Sequence, residues 1–229
     1  MTEISEKIKE IENQIEEGLW VFELHEQLEK ALEIYQVAET KLEALGLSED
    51  SPDYTDQQRV LSYCLMRQGN ILRQIEKPQE ALALGEREIS AARASGDEIT
   101  LARCLMSNGT NLIVIREIER GLKLLEEARG LFEKGESDDH RQGLGWFWIL
   151  QADLANAGLV ERDPTEGIEI TTRALDILLP IENWPGVARA HAARARAHEK
   201  LGNEEAAAKD RQEQKLYESK VEPAEENNR

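Results

Sequence analysis

The chain has 229 residues, 5% of them aromatic and 32% charged, and its 46 acidic against 28 basic residues leave a formal net charge of −18. A surface of that sign repels phosphate backbones and anionic lipid, which excludes general nucleic-acid and membrane-surface binding, and no apolar run approaches the roughly 20 residues a membrane-spanning helix requires. Ala, Leu, Glu, Lys and Arg dominate, residues that lose little entropy in a helix, so an all-α protein is expected, with 40% hydrophobic residues enough for a core.

In chain order, helices are predicted near 3–24, 27–45, 55–76, 78–95, 97–115, 118–134, 139–159, 164–180, 185–201 and 203–220. The start, "MTEISEKIKE", is charged from its third residue and is no secretory signal, so a cytoplasmic, reduced setting is expected. Nothing between Leu24 and Leu28 breaks a helix strongly. "LGLSEDSPDYT" at 45–55 is a loop, and Pro78 opens the next helix. Gly96 and Asp97 pair a helix C-terminus with an N-cap, and Asp163 and Pro164 form a cap and first turn. Pro180 closes one helix and Pro185 starts another, while "KLGNEEA" is a tight helix–helix turn. The segment 218–229 reads as a disordered tail.

"CLMRQGN" at 64–70 returns as "CLMSNGT" at 104–110, which places Gly69 and Gly109 40 residues apart. Ala152 and Ala195 continue the series. Second landmarks follow at Ala81, Gly121, Gly167 and Ala207, with Ala31, Tyr35 and Ala38 earlier in "KALEIYQVA". Small residues at a helix crossing let backbones approach, and a helix hairpin that cannot bury its apolar face alone does so by stacking on the next. Cys64 and Cys104 share one helical phase and are expected as free, buried core residues.

These phrases resemble the tetratricopeptide repeat family over roughly residues 12–217, and the 40-residue spacing is similar to its longer-helix members, such as kinesin light chains and bacterial peptide-sensing regulators. The sequence departs from the family where Gln68, Asn108 and Gln151 replace apolar residues and where Gly85, Glu88, Arg211 and Gln214 replace packing residues. The resemblance implies an α-solenoid, a right-handed superhelix of about five hairpins near 3–45, 55–95, 97–134, 139–180 and 185–217. It also implies a scaffold that binds proteins, without enzymatic activity.

Chemistry-bearing motifs do not compete with that reading. No P-loop, H-E-x-x-H, G-x-S-x-G or C-x-x-C is present. His191 and His198 lie two turns apart on one helix, about 10 Å, too far for one metal without further ligands, and are expected to face solvent. Asp138, Asp139 and His140 read as a capped helix start. No cofactor and no metal are expected.

If Gly69, Gly109, Ala152 and Ala195 face the partner helix, another face carries Tyr63, Arg103, Trp146 and Arg189, then Met66, Met106, Ile149 and Ala192. Asn70, Thr110, Asp153 and Arg196 follow, and Arg73 completes the set. In the family's architecture this face lines a concave groove. Tyr, Trp and Arg dominate binding hot spots and Met adapts to irregular ligands, so the face is expected to hold a peptide or extended segment of another protein. Its arginines favour an acidic segment or a terminal carboxylate. A sensor module responding to a short peptide or small ligand, and a self-associating adaptor, remain open alternatives.

Overall fold

In the computed structural model, which describes residues 2–221, the described residues form ten α-helices joined by short turns. The first, α1 (Glu3–Glu17), is capped by Thr2, whose Oγ1 accepts a hydrogen bond from the Ser5 amide at 2.9 Å, and it buries Ile8, Ile11 and Ile15. The helix expected to run to residue 24 stops earlier. Gly18–Phe22 forms a single π-turn and Glu23–His25 a 3₁₀ turn, closed by Glu26 at φ 60°. Packing explains the irregularity: a Cβ at Gly18 would lie 2.8 Å from Tyr35 Cε1, so only glycine admits the buried ring there. The widened turn delivers Glu23 to the Tyr35 hydroxyl, which donates to it at 2.8 Å, and to an ion pair with Arg67.

The remaining helices are α2 (Leu28–Ala44), α3 (Tyr54–Gln74), α4 (Pro78–Ser95), α5 (Glu98–Val114), α6 (Ile118–Phe132), α7 (Asp138–Asn156), α8 (Pro164–Leu178), α9 (Trp184–Lys200) and α10 (Glu204–Glu218). Capping follows the sequence closely. Asp97 accepts from the Thr100 amide at 2.7 Å, Asp163 from the Thr165 amide at 2.8 Å, and Asn183 from the Gly186 amide at 2.9 Å. At α7 the cap is Ser137, and Asp138 and Asp139 occupy the first turn. Of the expected tail 218–229, Glu218 ends α10 and residues 222–229 lie outside the described residues.

The chain divides into two compact units, Met1–Leu131 and Phe132–Arg229. In the first, α3 packs against both α1 and α5, whereas α2 and α4 are linked by ion pairs of Arg87 with Glu39 and Glu43, each at 2.6 Å. The helices α1, α3 and α5 thus form one layer, with α2 and α4 behind it. Its core joins Ile8, Ile11, Ile15, Ala31, Tyr35, Ala38, Leu42, Val60, Cys64 and Ile71. In the second unit α7 packs on α9, and α8 and α10 back that pair. Ile149, Ala174, Leu175, Leu178, Val187 and Ala190 are buried together there.

Of the repeated small residues, Gly109 and Gly121 sit at a close helix crossing. A Cβ at Gly109 would lie 2.9 Å from the Gly121 carbonyl oxygen, and one at Gly121 would lie 2.6 Å from that of Gly109. Cys64 and Cys104 are free and buried, and the Cys64 thiol donates to the Tyr35 carbonyl at 3.0 Å. Burial pushes the Cys64 thiol up to about 12, so it is inert at neutral pH.

Candidate functional site

In the first unit, the layer α1–α3–α5 carries a cavity of about 200 Å³ lined by Glu12, Glu16, Arg59, Tyr63, Met66, Thr100, Arg103 and Cys104. Tyr63, Met66 and Arg103 belong to the face predicted from the repeat register. Arg59 lies one turn before Tyr63 and pairs with Glu12 at 2.7 Å and Asp56 at 2.8 Å. Glu16 accepts from the Trp20 indole N–H at 3.1 Å, and the Trp20 ring is 60% exposed beside it. Burial pushes the Tyr63 phenol up to about 12, so it remains a neutral donor across the physiological range. The mouth therefore combines aromatic, thioether, acidic and guanidinium groups within reach of a single bound residue.

Farther along α3 and α5, Asn70 Oδ1 accepts from Arg73 Nη2 at 3.0 Å and from the Ser107 hydroxyl at 3.2 Å. Arg73 Nη1 donates to Asn111 Oδ1 at 2.7 Å. Burial lowers the proton affinity of the Arg73 guanidinium, and the nearby Glu88 carboxyl works the other way. Met66 packs in a small core with Ala92 and Cys104, Met106 is half-buried, and the buried Thr110 hydroxyl donates to the Met106 carbonyl at 2.8 Å.

In the second unit, Trp146 is half-buried against the core and Ile149 is 1% exposed within it. Asp153 accepts from both arginines of the predicted set, Arg189 at 2.8 Å and Arg196 at 3.0 Å. Three residues that the sequence places on one face thus form one cluster that retains a single positive charge.

The histidines differ from their expectation of facing solvent. His191 is 7% exposed, its Nδ1 is 2.8 Å from Asp210 Oδ1, and its ring stacks on Tyr217 with an interplanar angle of 8°. His198 Nε2 lies 3.8 Å from Asp210 Oδ2. Arg194 reaches the same carboxylate through Nε at 2.9 Å and Nη2 at 2.7 Å. Burial alone would raise the Asp210 proton affinity, but these hydrogen bonds outweigh it and hold the carboxyl below the usual range. Trp184 also stacks on Tyr217, and Lys220 sits 4.4 Å over the Trp184 ring. The cluster fastens α10 to α9. Hydrogen bonding to a buried acid, not solvent contact, holds His191 there.

Among the described residues no group of three His, Cys, Asp or Glu side chains is placed to hold a metal ion, and no helix is long and apolar enough to cross a membrane. No protein-family model matches the sequence, and no curated protein is similar to it. Solved structures are. BtubC (BKLC) from P. vanneervenii superposes with a TM-score of 0.61 at 15% identity, covering 100% of this chain and 96% of that one. A putative kinesin light chain with nearly identical TPR-like repeats from Podosopora anserina gives 0.56 at 14% identity, covering 95% and 99%. The apo form of RapI gives 0.53 at 14%, covering 96% and 86%. The fold is a tetratricopeptide-like helical repeat.

Within that all-α, solenoid-class fold, the departures seen in the sequence have local accommodations. Asn108 fills the space that a side chain at Gly85 would occupy, so the two substitutions compensate each other. Gln68 Nε2 donates to Glu39 at 2.6 Å, and Gln151 Oε1 accepts from Arg162 at 3.2 Å. Glu88 is the exception: it is fully buried and neither carboxyl oxygen has a hydrogen-bond partner. The sequence reading missed Glu12, Glu16 and Arg59 at the cavity. Their signal was present, since Glu12 and Glu16 follow the buried Ile11 and Ile15 by one residue, and Arg59 shares the phase of Tyr63.

Proposed function

We propose that this protein is a non-enzymatic interaction scaffold that binds an extended segment of another protein along the face shared by α1, α3 and α5. The observation that carries this reading is the cavity in that face, where Tyr63, Met66 and Arg103 meet Glu12, Glu16 and Arg59. At about 200 Å³ it holds one side chain or a chain end, not a whole small-molecule ligand, for which about 300–1,000 Å³ is usual. Helical repeats present their layers as extended surfaces, so further residues of the segment lie over Asn70, Arg73, Met106 and Thr110. In the second unit, Trp146, Asp153, Arg189 and Arg196 make the corresponding set, and Ile149, expected from sequence to share that face, is instead buried in the core beneath it.

The segment carries carboxylates. Arg103 stands at the cavity, and the Asp153 cluster keeps one positive charge in excess. The strongly acidic remainder of the chain disfavours other anions, which makes the contact selective. The two cysteines, free rather than joined in a disulfide, support a reduced, cytoplasmic setting.

Peptides selected from a displayed random library supply the test. The affinity of peptides held by the first unit should fall at least tenfold with Arg103→Glu, and more at low than at high salt, and that of peptides held by the second unit should fall with Arg189→Glu. Unchanged affinity in both folded variants would remove these arginines from the interface. A self-associating adaptor would instead yield no peptides and a concentration-dependent mass.

A further inference from the structure

Gly69 lies in the middle of α3, where a Cβ would sit 3.7 Å from Asn111 Nδ2, 3.9 Å from the Ala81 carbonyl oxygen and 3.9 Å from Glu88 Oε2. These are the nearest groups, and every one is polar. Asn111 and Glu88 are both 0% exposed. Asn111 Nδ2 and both Glu88 carboxyl oxygens make no hydrogen bond of ordinary length within the protein, although the Cys104 thiol and the Ser107 hydroxyl lie near the carboxyl. Three orphaned polar atoms in one core, two of them converging on the side chain that Gly69 lacks, cost too much to be left unanswered.

The chemistry of the converging atoms selects the ligand. Asn111 Nδ2 only donates and the Ala81 carbonyl only accepts. A cation would face the amide N–H, and an anion would face the carbonyl and the carboxyl. A species that donates and accepts at once satisfies all three.

We propose that an ordered water is bound between α3, α4 and α5 at Gly69, accepting from Asn111 Nδ2 and bonding to the Ala81 carbonyl and Glu88 Oε2. Three partners is the usual number for a buried water. The site works in either protonation state of Glu88, because the water can donate to a carboxylate or accept from a carboxylic acid. It also gives Arg73 a link to a carboxyl it does not touch. Arg73 Nη1 donates to Asn111 Oδ1 at 2.7 Å, Asn111 donates to the water, and the water reaches Glu88. A guanidinium on the proposed binding face is thereby held in place from within the core. The site itself does not depend on the binding proposal.

The test compares Gly69→Ala with Gly69→Ser. A methyl fits at ordinary contact distance and displaces the water, whereas a serine hydroxyl can stand in for it. Helix propensity ranks Ala above Ser, but the water site predicts that Gly69→Ser melts at the higher temperature. A crystal structure of the unaltered protein should show solvent density within about 3.2 Å of Asn111 Nδ2 and Glu88 Oε2, absent in Gly69→Ala. No density there, where other buried waters are visible, overturns the proposal, as does Gly69→Ala melting at or above Gly69→Ser.

Discussion

Glu76 and Arg116 close α3 and α5 in the left-handed conformation, at φ 63° and 72°, where α9 has Gly202. The hydrogen bonds are the same at each turn: the following amide, of Lys77, Glu117 or Asn203, returns to a carbonyl in the last turn of the helix. An L side chain there strains the backbone by about 1–2 kcal/mol, so Arg116→Gly should raise stability by about 1 kcal/mol in urea denaturation. A lowered midpoint would contradict the turn assignment. Glu88 offers a second residue-scale test. Burial raises its proton affinity well above the ordinary carboxyl value, against weaker opposing pulls from Cys104, Arg73 and Ser107. A raised folded-state pKa means that its favourable contribution is complete below the unfolded pKa of about 4.3 and is lost as pH rises toward the folded value. Glu88→Gln should therefore match the native protein near pH 4 and become the more stable of the two toward neutrality. A stability difference that stays constant from pH 4 to 8 would show that Glu88 is already ionised at no cost. Sequence alone marked Glu88 as foreign to a packing position. It could not show that Asn111 and Arg73, from other helices, would be its polar neighbours.

At the level of elements, the α5–α6 crossing depends on two facing glycines, Gly109 and Gly121, whose backbones approach within side-chain distance. Gly109→Leu should destabilise by roughly 1–3 kcal/mol through overpacking, read from thermal melts, because the neighbours include Leu125 at 3.0 Å from the new Cβ. An unchanged melt would mean that this crossing can open without penalty. Helix positions were legible because caps, prolines and periodic apolar residues agree locally: Asp97, Asp163 and Pro78 act where the sequence places them. The end of α1 was not legible, because the break at Gly18–Phe22 is dictated by a Tyr35 ring on another helix. The docking of α10 was hidden in the same way. Asp210 looks like one more acid on a polar helix, and only the fold brings His191 and Arg194 to it.

For the whole molecule, the repeat period was the strongest signal, since a 40-residue recurrence of small residues at helix crossings fixes a hairpin array before any contact is known. The candidate site was legible in part. Tyr63, Met66 and Arg103 converge on one cavity as their shared phase implies, but the charge of the face did not follow from counting arginines. Arg189 and Arg196 hold Asp153, Arg73 binds two amides, and Glu12 and Glu16 enter from a helix that lacks the repeat landmark. Pairing across helices is a property of packing, so the partners of these arginines could not be read from the sequence. The central claim is that an extended segment lies on the α1–α3–α5 layer. A library-selected peptide carrying a photoreactive residue, cross-linked to the intact protein and mapped by mass spectrometry, tests it most directly. Adducts should fall on the stretch around Glu16, Tyr63 and Arg103. Adducts confined to α2 and α4 would place binding on the opposite layer and contradict the account.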